Sequence, residues 1–204
     1  VIFSLVSYSS IASHLHNGNG VWNFSRDSAL YHTEAIYLVQ LINESAWLEW
    51  WGSFPHHNNV KLISLIYWVT GYNLPITFEL INSLMWVISV VTIYASSRLL
   101  FQESYTTNIL TTLFFFQPSL LMSSSQLLRD PIFIAGICLL CFGWIDFIKN
   151  KITWKNILCI HIGFLLIFSM RSYLIDIVLI VFVLYFVWSL CRRKINLFSF
   201  FLIL

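Results

Sequence analysis

Apolar segments separated by short polar links fill this 204-residue chain from position 60 to its end, and polar residues collect in a single long interval before it, Asn17 to Asn59. Inside that interval a helical period begins near Ser25 or Asp27, with Ala35, Leu38, Val39 and Ile42 recurring on one stripe. Trp47, Trp50 and Trp51 follow, residue types that favour the level of lipid headgroups, so this helix is expected to lie on a membrane surface rather than cross it. The loop around Phe54 to Asn59 leads to a short apolar helix, Val60 to Thr70, closed by Gly71. At 1.5 Å per residue such a helix reaches only about 16 Å, too little for an upright crossing.

The pattern then predicts full crossings at Pro75 to Ser97, Tyr105 to Met122, Pro131 to Ile148, Asn156 to Met170 and Tyr173 to Cys191, the fourth being short. Val1 to Ala12 and Ile195 to Leu204 are apolar but shorter than the roughly 20 residues a crossing takes, and are expected to be parts of further helices in a longer protein. The fold expected is all-α: a polytopic transmembrane helix bundle, one domain over 1–204, with interfacial helices in a long first external loop at 13–59. Residues 60–204 would supply the short helix, five complete crossings and one partial one.

Composition agrees with that picture. Hydrophobic residues make up 58% of the chain and charged residues 10%, against roughly a quarter charged in soluble domains. A net charge of +2 with scattered basic residues offers no footprint for nucleic acid. Cytoplasmic loops are enriched in Lys and Arg. Alternating helices place Arg98, Lys149, Lys151, Lys155, Arg192, Arg193 and Lys194 on one side, with most carboxylates and histidines on the other. The four cysteines lie in or at the ends of apolar segments, and small core residues are the simplest account of them.

The outer side therefore carries the candidate chemistry. Asp27, Tyr31 and Glu34 fall at i, i+4 and i+7, one face of a helix, with His32 beside them. A partly desolvated carboxylate there can take a proton from a hydroxyl; an aspartate at a helix start can equally be a cap. Asp130 before Pro131 reads as a helix start. Arg129 sits at the end of an apolar segment, where a guanidinium either reaches up to headgroups or binds an anion such as phosphate. Arg171 repeats that placement. His56 and His57 could bind a metal or a diphosphate, although adjacent histidines seldom point the same way and a plain polar loop is the simpler reading.

The order of these features resembles the GT-C membrane glycosyltransferases, which include aminoarabinose and protein O-mannosyl transferases. The residues that carry it run from about Ser10 to Tyr173. They are the stretch Asp27 to Ala35, the Trp- and Pro-bearing loop through Pro55, Ile66 to Gly71, Ile81-Asn82-Ser83, Arg98 to Phe101, Gln117-Pro118 and Leu128-Arg129-Asp130-Pro131. The resemblance implies transfer of a sugar from a polyprenyl-phosphate donor to a hydroxyl acceptor on a glycan, lipid or protein, at the outer face of a bacterial inner membrane. It implies that Asp27 deprotonates or orients the acceptor, and that cations, for which Arg129 and Arg171 are candidates, steady the departing lipid phosphate. Tyr31, His32, Glu34, His56, His57 and Asp130 would line the substrates. Many members carry two adjacent acids where this chain has Asp27-Ser28, so a divalent metal is left open and no other cofactor is expected. A polysaccharide polymerase or ligase would also need external arginines but not Asp27. A transporter or membrane subunit would show ionisable groups or broken helices at mid-membrane, where this chain offers only Pro118 and His161.

Overall fold

The computed structural model describes residues 15–16, 20–23, 25–55, 57–150 and 153–171, with 174, 176–177, 179–181 and 183–184 beyond them. Among these the chain is helical, and the one pairing of extended backbone is an isolated antiparallel bridge between His16 and Trp22. The expected crossing at Tyr173 to Cys191 falls largely outside the described residues, as do the two apolar ends.

The helices are α1 (Arg26–Asn43), α2 (Trp47–Gly52), α3 (Asn58–Thr70), α4 (Pro75–Phe101), α5 (Ser104–Phe115), α6 (Pro118–Ser124), α7 (Asp130–Lys149) and α8 (Trp154–Met170). Of these, α4 and α7 are long and apolar enough to cross a membrane. The expected start and buried stripe of α1 are found: Ala35, Leu38, Val39 and Ile42 are all buried. The close of α3 is also as expected, with Gly71 in the left-handed conformation (φ 72°) and its N–H on the Tyr67 carbonyl.

One expected crossing is corrected. Tyr105 to Met122 is two helices, α5 and α6, separated at Phe116 and Gln117. Proline has no N–H to donate and crowds the residue before it out of the helical region. Gln117 is accordingly extended (φ −62°, ψ 110°), and Pro118 opens α6 at its first turn.

The chain divides into two compact units, residues 1–88 with 115–132, and residues 89–114 with 133–204. In the first, α1 packs along α3 and touches α2. Its interior holds Leu38, Val60, Ile63, Tyr67 and Phe78, all fully buried.

In the second unit the later part of α7 runs antiparallel to α8 at very short range. A Cβ added at Gly163 would stand 2.6 Å from Leu140 N and 2.7 Å from Gly136 O, and one at Gly143 would stand 2.8 Å from Asn156 O. Glycine at these positions lets backbone meet backbone, the usual device for close helix pairs in apolar surroundings. Thr153 and Asn156 form a reciprocal cap at the start of α8. Lys149, at the end of α7, donates to the Leu99 carbonyl at 2.6 Å, satisfying one of the carbonyls that the last turn of α4 leaves open.

Candidate functional site

The site grows from the first two turns of α1. Leading into it, the His16–Trp22 bridge is reinforced by a hydrogen bond from Asn23 N–H to the Leu15 carbonyl (2.8 Å) and by edge-to-face contact of the two rings. The N-cap position is Ser25, whose hydroxyl does not cap. Asp27 therefore stands inside the first turn rather than at the cap, exposed, near the partial positive charge of the helix start.

One turn on, Tyr31 is 5% exposed. Burial pushes its phenol above the usual range; Arg129 opposes that shift, while Asp27, Asp130 and Glu34 add to it. Four charged residues from two distant stretches of sequence thus act on one hydroxyl. The spacing of Asp27, Tyr31 and Glu34 foretold half of that cluster, and Arg129 with Asp130 is the other half.

Two side chains hold the second stretch in place. The Ser28 hydroxyl accepts the Leu127 N–H at 3.2 Å, and the Asn82 amide donates to the Gln126 carbonyl at 2.6 Å and the Leu128 carbonyl at 3.0 Å. Three consecutive residues just before Arg129 are pinned through their backbone, two to α4 and one to α1. Neither Ser28 nor Asn82 stood out as functional in the sequence, although an amide inside the apolar run of α4 is a signal in itself, because a buried polar group requires partners.

On the other flank, Glu34 Oε2 and His57 Nδ1 are 2.8 Å apart, and the His57 ring meets the Tyr31 ring edge to face at 5.5 Å between centroids. His32 Nδ1 lies 2.9 Å from the Tyr67 hydroxyl, and burial pushes the imidazole below its usual range. Tyr67 lies in the Ile66 to Gly71 stretch that carries the resemblance, where no role attached to it. His56 lies outside the described residues.

Arg171 belongs to the second unit, where its guanidinium lies over the Phe133 ring, 4.9 Å from the centroid. No cluster of three or more His, Cys, Asp or Glu side chains among the described residues is arranged to hold a metal ion.

Asp27, Tyr31, Glu34, His57, Arg129 and Asp130 together can accept a proton at an exposed carboxylate and hold an anion at a guanidinium, with a buried phenol near both. The chain matches no protein-family model, no curated protein and no solved structure.

Proposed function

We propose that this is a polytopic membrane glycosyltransferase that moves a sugar from a polyprenyl-phosphate donor to a hydroxyl acceptor at the outer face of a bacterial inner membrane. The observation that carries the reading is the clamp by which Ser28 and Asn82 hold the backbone just before Arg129 against the start of α1, beside Asp27 and Tyr31. That neighbourhood combines a carboxylate open to an incoming hydroxyl with a cation suited to a phosphate. The likeness of the Asp27 to Ala35 and Leu128 to Pro131 stretches to GT-C enzymes favours it too. So do the two helices long and apolar enough to cross a membrane and the meeting of Lys149 with the α4 end that bears Arg98.

In this mechanism the acceptor hydroxyl gives its proton to Asp27 as its oxygen bonds to the anomeric carbon. The bond from that carbon to the phosphate oxygen breaks, and its electron pair leaves on the polyprenyl phosphate. Arg129 meets the charge that develops there. Tyr31, Glu34 and His57 form the wall against which the sugar is oriented.

The test is transfer from a radiolabelled polyprenyl-phosphate sugar pool in membranes containing the full chain, compared with Asp27→Asn. Loss of transfer at normal membrane levels of the variant is the expected result. Undiminished transfer by the variant would reduce Asp27 to a charge at a helix start. No transfer by either form, with acceptor present, would move the assignment to a polymerase, ligase or transporter.

A further inference from the structure

The first unit carries a surface that the proposed chemistry does not use. In α2 and the last turn of α3, large apolar side chains stand outward: Leu48 is 91% exposed, Val69 75% and Trp51 71%, with Trp47 and Trp68 also exposed, as is Tyr72 just after α3. These residues form an ordered face. Trp47 packs edge to face on Trp68 (6.1 Å between centroids) and on Trp50 (6.0 Å). Trp50 is itself buried and donates its indole N–H to Ser64, which ties α2 to α3. Lys61 is held against the same face: its ammonium lies 5.2 Å from the Trp51 ring centroid and donates to the Trp51 carbonyl.

Three features identify what covers this face. Its composition is that of the headgroup level of a bilayer, where the amphipathic rings of Trp and Tyr settle. Of its two charged residues, Glu49 and Lys61, Lys61 is the one held on an exposed ring of the face, where an ammonium can meet a lipid phosphate. It also leads within four residues, Gly71 to Leu74, into α4, whose 27 residues run about 40 Å at the α-helical rise. A protein partner would match the aromatic surface but not its continuity with a helix of membrane length.

We propose that α2 and the last turn of α3 form a foot set in the headgroup layer, which holds the Tyr31 cluster at the depth of the lipid phosphates. The link between foot and cluster is short. Tyr67, bonded to His32, is the neighbour in sequence of Trp68, and His32 is the neighbour of Tyr31. A donor whose phosphate sits at the headgroup level then reaches Arg129 without leaving the membrane. This inference rests on the membrane reading and specifies the depth of its site.

The test places a bimane fluorophore at Leu48→Cys, or at Leu84→Cys in α4 as a membrane reference, in the full chain reconstituted into phosphatidylglycerol-containing vesicles. The unsubstituted chain, labelled in parallel, gives the background. Both positions are exposed, so substitution leaves the packing intact. The expected result is loss of Leu48 fluorescence with phospholipids brominated near the headgroup, more than with those brominated near the chain ends or with aqueous iodide. Quenching at Leu48 by iodide alone, or by none of these, overturns the foot, since the face is then in water or covered by protein. If the Leu84 label escapes both brominated lipids, the membrane reading itself falls and takes the foot with it.

Discussion

Ser28 and Leu127, 99 residues apart in the chain, share a hydrogen bond in which the α1 hydroxyl accepts the N–H of the segment leading to Arg129. Asn82 fixes the residues on either side of Leu127. Removing one partner of a buried hydrogen bond costs about 1–3 kcal/mol, because the other group stays desolvated. Ser28→Ala and Asn82→Ala are therefore each expected to lower the thermal unfolding of the detergent-solubilised chain. Asn82→Ala should lower it more, since two carbonyls lose their donor. Equal stability in all three forms would mean that water replaces these bonds.

The Tyr31 phenol gives a direct reading of who its neighbours are. Arg129→Gln removes the charge that favours phenolate and should move the Tyr31 pKa further up; Asp27→Asn removes a charge that disfavours it and should move the pKa down. Following the Tyr31 Cζ carbon by NMR against pH, with Tyr31→Phe as the assignment control, would check both directions. An unchanged titration in Arg129→Gln would separate the two halves of the site.

His32 makes stability depend on acid. Burial disfavours the imidazolium, so the folded pKa is below the unfolded one. Below an unfolded value of about 6.5 the unfolded chain binds more protons than the folded one, and stability falls as pH falls. The contribution is present above that value and is lost on acidification through the folded pKa. The unfolding temperature should drop between neutral and mildly acid pH, and His32→Gln should flatten that drop.

Gly163 offers a contrast with Gly52. A methyl group at Gly163 meets backbone atoms of Leu140 and Gly136, which have no flexible end to give way, whereas one at Gly52 meets nothing within 4 Å. Gly163→Ala should destabilise by about 1–3 kcal/mol, the usual cost of forcing extra volume into a packed contact. Gly52→Ala should be neutral, or stabilising by up to about 1 kcal/mol through the unfolded chain. Resistance of each variant to thermal aggregation in detergent would rank them.

What the sequence made legible was whatever repeats or stands alone. The stripe of Ala35, Leu38, Val39 and Ile42 announces α1, and Gly71 announces the end of α3. A guanidinium at the edge of an apolar run drew notice to Arg129 because its position is costly. Of the clamp made by Ser28 and Asn82, only the amide inside an apolar run showed, since a side chain that bonds backbone 44 to 99 residues away creates no period. The break between α5 and α6 was signalled by Pro118, but the hydropathy of the flanking phenylalanines and leucines spoke more strongly for a single crossing.

The glycine contact between α7 and α8 also limits how that part of the chain can move. With Gly163 lodged against Gly136 and Leu140, and Asn156 lodged against Gly143, sliding either helix along the other would drive larger side chains into gaps that only a hydrogen atom fills. The hairpin is a ratchet with its teeth engaged. A displacement of α8 along its axis therefore carries α7 with it.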